Sequence, residues 1–272
     1  MLRFPPRRIL VAVDFSRTSL AAWRAARALA DRFNARLDAV WCMEPLITEL
    51  TGLKNLSRRP EVRREAVERL RKRFDPALRL HVVVADPASS LRRMVEDRGF
   101  DLLVLGTHRR KGLERLVQGS VSEALVHDAP CPVLVVPRSW RTPRWVLAPV
   151  HAAGYARRGL LAAGVVARGF GARLALLHVA AGRVSGQEPE ELLRRRVAEL
   201  PAALVSAVRP KTEVRRGDPI RQILRAERGR DLVVLVAHRK SMLGDWMLGT
   251  TVERVLRHSR APVLAIPSRR GG

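Results

Sequence analysis

The chain repeats itself, and the repeat constrains its fold more than any other feature. Asp101-Leu-Leu-Val-Leu-Gly-Thr-His-Arg109 returns as Asp231-Leu-Val-Val-Leu-Val-Ala-His-Arg239, Gly119-Ser120 as Gly249-Thr250, and the run Ala129 to Pro137 as Arg260 to Pro267. Histidine, glycine and the last apolar run recur at one constant offset, which chance explains poorly. Upstream, Ile9 to Val13 matches Val146 to Val150, Ala35 to Trp41 matches Ala172 to His178, and Asp86-Pro87 matches Asp218-Pro219. Both halves therefore share one order of elements.

Within the first half, short β-rich runs fall at about 9–13, 36–42, 79–84, 101–105 and 132–136. Segments with helical spacing of apolar residues separate them. Strands alternating with helices imply parallel strands joined by right-handed crossovers. Leu102 to Leu105 and Val133 to Val136 are continuous apolar runs, as strands covered on both faces require. The expected fold is α/β: two tandem, five-stranded, parallel, doubly wound domains of Rossmann-like type, at 1–138 and 144–270, with the linker at Pro137 to Pro143. The first helix should run from Ser16 to Asn34, capped by Ser16 or Thr18, and segment 44–60 reads as a loop.

Composition narrows the class. Hydrophobic residues make up 47% and charged residues 28%, enough to build packed cores and too apolar for disorder. No apolar run reaches the ~18–20 residues of a membrane span, and Asp14 stops the early run, so neither membrane insertion nor a signal peptide is expected. Cys42 and Cys131, the two cysteines, sit in apolar runs and read as buried hydrophobes, which suits a reducing cytoplasm. The net charge of +25 comes almost wholly from arginine and favours nonspecific attraction of polyanions. No helix-turn-helix, zinc finger or aromatic RNA-binding motif accompanies it.

In open α/β sheets ligands settle beyond the carboxyl ends of the strands. That rule selects Val13-Asp14-Phe15-Ser16, Gly106 to Arg110 with His108 and Arg109, and Gly119-Ser120-Val121-Ser122 at a helix start. Glycine and hydroxyl residues opening a helix offer N–H and O–H donors to phosphate. Each feature also has a plain structural reading: Asp14 as a helix cap, Gly119-Ser120 as an empty helix start.

These residues resemble the universal stress protein family. An Asp follows its first Ile-Leu-Val-x-Val strand, and its fingerprint is Gly, two residues, Gly, nine residues, Gly, then Ser or Thr. Asp14 fills the first feature; Gly106, Arg109, Gly119 and Ser120 fill the second, with Arg109 at the second glycine. The likeness covers nearly all of both halves. It implies an adenine nucleotide alpha hydrolase-like fold and a cytoplasmic stress-response protein. The first half would bind ATP or another adenine nucleotide, with or without Mg2+, as a regulatory ligand. Asp14 would lie against adenosine, and Gly106, Gly119, Ser120 and Ser122 along the ribose-phosphate path. Arg109 would clamp phosphate where the family brings backbone close. The family's pairing through final strands implies a pseudo-dimer of the two halves, able to dimerise further.

The second half departs from the pattern. His151 replaces the acid, Val236 the first glycine and Arg239 the second, leaving Gly249 and Thr250. That site should be degenerate. His108 and His238 lack an orienting acid and a nucleophile, so no catalytic residue is assigned. His178, following a buried run, reads as a core residue. No Gly-x-x-x-x-Gly-Lys-Ser/Thr loop, dinucleotide fingerprint or metal-spaced cluster occurs, so efficient turnover is not expected, while slow ATP hydrolysis is compatible. Two other readings stand beside nucleotide sensing: a scaffold with vestigial sites, and a basic binder of RNA or DNA.

Overall fold

The structure, a computed structural model, describes residues 4–43, 60–107, 121–128, 130–151, 156–180, 188–237, 239–242, 245–248 and 250–268. In the first half β1 (Arg8–Ala12), α1 (Arg17–Phe33), β2 (Arg36–Met43), α2 (Pro60–Phe74), β3 (Leu80–Val84), α3 (Pro87–Arg98), β4 (Leu102–Gly106), α4 (Val121–Asp128) and β5 (Val133–Val136) alternate along the chain. The second half follows with β6 (Trp145–Pro149), α5 (Ala156–Phe170), β7 (Arg173–Ala180), α6 (Glu188–Ala198), α7 (Ala202–Val208), β8 (Lys211–Arg216) and α8 (Pro219–Ala226). It closes with β9 (Leu232–Ala237), β10 (Arg239–Met242), β11 (Asp245–Leu248), α9 (Thr250–His258) and β12 (Val263–Pro267). The expected α/β class with parallel strands holds. Segment 44–59 lies outside the described residues, and the antiparallel β10–β11 hairpin was not foreseen.

The tandem halves share one sheet of ten strands, ordered β3-β2-β1-β4-β5-β12-β9-β6-β7-β8. Strands are parallel within each half, and β5 meets β12 antiparallel with Leu134 opposite Leu264. Those two leucines are equivalents in the repeat, so the junction is self-complementary, like a two-fold dimer interface within one chain. Joining the final strands also removes two exposed sheet edges. Across the same axis the equivalent Phe33 and Phe170 meet edge to face, with centroids 6.2 Å apart.

Local chemistry explains why each half folds alike. Asp86 and Asp218 cap α3 and α8 through the N–H groups of Ser89 and Arg221, each with proline in the first turn. Asp101 Oδ2 accepts the N–H groups of Arg7 and Arg8, and Asp231 Oδ2 those of Arg144 and Trp145, tying strand starts together in both copies. Ser16 caps α1 by accepting Ser19 N–H at 3.0 Å, and Asn34 ends it in the left-handed region.

Helices cover both sheet faces. Ala22 and Ala26 of α1, Val166 of α5 and Leu193 of α6 pack on one face, while Leu91 of α3, Leu125 of α4, Ile223 of α8 and Val255 of α9 pack on the other. Each valine, leucine or isoleucine so buried contributes roughly 1.5–3 kcal/mol. Among the described residues no helix is long and apolar enough to cross a membrane.

Candidate functional site

The Val11-Ala12-Val13-Asp14 segment runs off the sheet where crossovers diverge. Val13 N–H still donates to Val40 C=O at 2.8 Å, but beyond it the backbone turns into α1. Asp14 N–H donates to Ser19 Oγ at 2.8 Å, and Asp14 Oδ1 accepts Ser16 N–H at 2.8 Å. The carboxylate is thus half-buried and locked in a local turn, while Ser16 is the helix cap. This corrects the plain reading of Asp14 as the cap itself.

Gly106, at the end of β4, is fixed by packing. A Cβ there would lie 2.7 Å from both C and O of Thr18 and 2.9 Å from Ser19 N. Only glycine lets the strand end touch the first turn of α1, and this contact carries Asp14 to the same place.

A cleft of about 150 Å³ opens between these groups. Asp14, Ser19, Cys42 and Ser122 give it polar atoms, and Val40, Leu91, Leu105 and Val121 give it apolar walls. Apolar walls with a few convergent polar groups are the usual makeup of a ligand site. The structure therefore brings together Val13, Asp14, Gly106, Val121 and Ser122; Ser16 stands beside them as the cap. His108, Arg109, Gly119 and Ser120 lie outside the described residues.

Sequence reasoning missed Ser19 and Cys42. Ser19 is buried beneath the Asp14 turn, and its place in the first helical turn was a usable signal. Cys42 is half-buried and faces the cleft, which corrects its reading as a core hydrophobe, because β2 ends where the sheet face opens. Cys131 is buried, with Sγ on Pro132 C=O, as expected; burial pushes its thiol up to about 12. Among the described residues no His, Cys, Asp or Glu cluster fits a metal ion.

The second half differs at the equivalent strand end. Val236 stands where Gly106 does, and the helix compensates: a Cβ on Gly159 of α5 would collide with Val236 Cγ2. His151 is exposed, and its carbonyl accepts Arg196 Nη2 at 2.9 Å, with Arg196 Nη1 2.7 Å from Glu199. Arg239 and Thr250 open β10 and α9, and Gly249 lies outside the described residues. His178 is half-buried, its Nδ1 3.2 Å from Val150 C=O, a satisfied structural residue.

Fold and cleft define a class: a tandem, doubly wound α/β protein with a small cleft at the strand ends of its first half. The model of the Universal stress protein family matches residues 6–137 and again 144–267. The chain belongs to the universal stress protein family. It is 31% identical over 146 residues to universal stress protein MJ0531 of Methanocaldococcus jannaschii, covering 48% of this chain and 81% of that one. A universal stress protein of Thermus aquaticus is 33% identical over 135 residues, 47% of this chain and 96% of its own. The crystal structure of a universal stress protein from Archaeoglobus fulgidus superposes with a TM-score of 0.74 at 18% identity, covering 97% of this chain and all of that one, a likeness of fold.

Proposed function

We propose that the first half, residues 1–138, binds an adenine nucleotide as a regulatory ligand and that the second, residues 144–270, does not. The observation that carries the reading is the pairing of Asp14 and Gly106 around one cleft, set against Val236 packed on Gly159 in the second half. The cleft is smaller than the ~300–1,000 Å³ of sites for drug-sized ligands, a size suited to a base or ribose rather than a whole nucleotide. Asp14 offers a carboxylate to ribose or base donors, and the first turn of α4, with Ser122, offers donors to phosphate. On this reading the ligand acts by binding, in the cytoplasm and without fast turnover; among the described residues no His, Cys, Asp or Glu cluster fits a metal ion.

Titration calorimetry with ATP, ADP and AMP tests this. Binding of one nucleotide per chain, weakened by Asp14→Ala, supports it. Indifference to all three at millimolar concentration overturns it in favour of a scaffold with vestigial sites; two nucleotides per chain overturn the assignment to the first half alone.

A further inference from the structure

The strand starts of the second half lie along one sheet edge, and that edge is a row of cations. In spatial order Arg260 precedes β12, Arg230 precedes β9, Arg144 precedes β6, Arg173 opens β7, and Arg209 and Lys211 sit at the start of β8. All are exposed except half-buried Arg230. With neighbouring strands about 4.8 Å apart, the row spans roughly 20 Å and carries a cation at every strand.

Among the described residues none of these side chains forms an ion pair. Two carboxylates close to the row bond backbone instead of its side chains: Asp231 Oδ2 accepts the N–H groups of Arg144 and Trp145. Buried Glu227 accepts Arg260 N–H and the Ser259 hydroxyl. The chain supplies its own comparison, because the equivalent of Arg173 in the first half is Arg36. Arg36 is held by buried Asp38, with Nε to Oδ1 at 2.9 Å. The position matching Asp38 is Ala175. Without that acid, Arg173 lies over the Trp145 ring at 4.9 Å, and Arg230 lies over the same ring at 4.6 Å. The indole fixes both guanidiniums without cancelling their charge.

Linear spacing, arginine chemistry and side chains without ion pairs all select a polyanion with a regular row of phosphates. A membrane surface fits less well, since among the described residues the exposed large hydrophobics, Phe15 and Val84, lie at strand ends of the first half and Trp145 in the row is covered by guanidiniums. We propose that this edge binds the phosphate backbone of a nucleic acid without reading its sequence. The site uses no residue of the nucleotide cleft and stands independently of that reading.

Fluorescence anisotropy with a labelled single-stranded oligonucleotide, and with the matching duplex, provides the test across a salt series. The intact protein should bind at low salt with a linear fall of log K against log salt. Arg144→Ala/Arg173→Ala/Lys211→Ala should weaken binding about tenfold or more and flatten the salt slope by about 2 to 3. Arg24→Ala/Arg64→Ala/Arg254→Ala, which removes as much charge elsewhere, should change little. Equal losses from both triples would assign binding to diffuse net charge and overturn the proposal. Binding to anionic phosphatidylglycerol vesicles with none to either oligonucleotide would overturn it in favour of a membrane. Should the first triple fail to fold, single Arg173→Gln carries the test: exposed at a strand start, it should still lower affinity and slope.

Discussion

Val236, on β9, and Gly159, on α5, form a complementary pair: the glycine lacks the one atom that would strike the valine. In the first half the same helix and strand meet with the small residue on the other partner, Gly106 against Thr18 and Ser19. The duplication kept the close helix-to-strand approach and moved its glycine. In one half the glycine sits on the strand end beside the cleft, and in the other it sits on the helix, facing a branched side chain.

Gly159→Ala should therefore cost about 1–2 kcal/mol, since Val236 can give by rotating. Adding Val236→Ala should restore most of the loss in a thermal double-mutant cycle. Gly106→Ala should cost about 3 kcal/mol, because its neighbours are backbone atoms that cannot swing away.

The two thiols should part in reactivity. At pH 8, iodoacetamide should modify cleft-facing Cys42 well before buried Cys131, whose thiol burial pushes up to about 12. Peptide mapping by mass spectrometry reads the order, and saturating ATP should slow Cys42 alone. Equal labelling with and without ATP would count against a ligand in the cleft.

Asp38 should shape the acid limb of stability. Burial pushes its carboxyl up, but hydrogen bonds from Arg36 and His81, with the Arg36 charge, outweigh this and hold it below the ordinary value. Arg98 Nη1 donates to His81 Nδ1 at 3.0 Å, which leaves His81 Nε2 to donate to Asp38 Oδ2 at 3.0 Å. A lowered folded pKa means the stabilisation is present above the unfolded value near ~3.9 and is lost as pH falls through the folded one. Asp38→Asn should cost about 1–3 kcal/mol at pH 7 and flatten the fall in melting temperature below about pH 4.

Phe33→Ala should loosen the junction of the halves. The ring meets Phe4 at 6.4 Å and Phe170 at 6.2 Å, and Gly169 leaves it room. A loss of about 2 kcal/mol is expected for this half-buried ring. Denaturant unfolding followed by fluorescence should show it, with Phe33→Leu recovering part.

Much of this was legible in the chain because its signals are local. Ser16 reads as a cap, Asp86-Pro87 and Asp218-Pro219 as helix starts, and unbroken apolar runs as covered strands. The Arg8–Phe100 contact, 5.1 Å from guanidinium to ring, was not legible. In the second half the same two positions hold Trp145 and Arg230, partners exchanged. Read one position at a time, neither change looks conserved; the contact survives because attraction between ring and cation does not depend on which strand supplies which. Cys42 was misread for a related reason, since an apolar run does not reveal which of its side chains line a cleft.

By itself the sequence determined the duplication, the alternation of strands and helices, the caps and the family, because each rests on spacing along the chain. Tertiary structure alone decided that Leu134 meets Leu264, that Gly106 admits α1 while Val236 fills the matching space, and that six cations line one edge. Those facts depend on which residues far apart in the chain come together in space, and spacing along the chain does not reveal that.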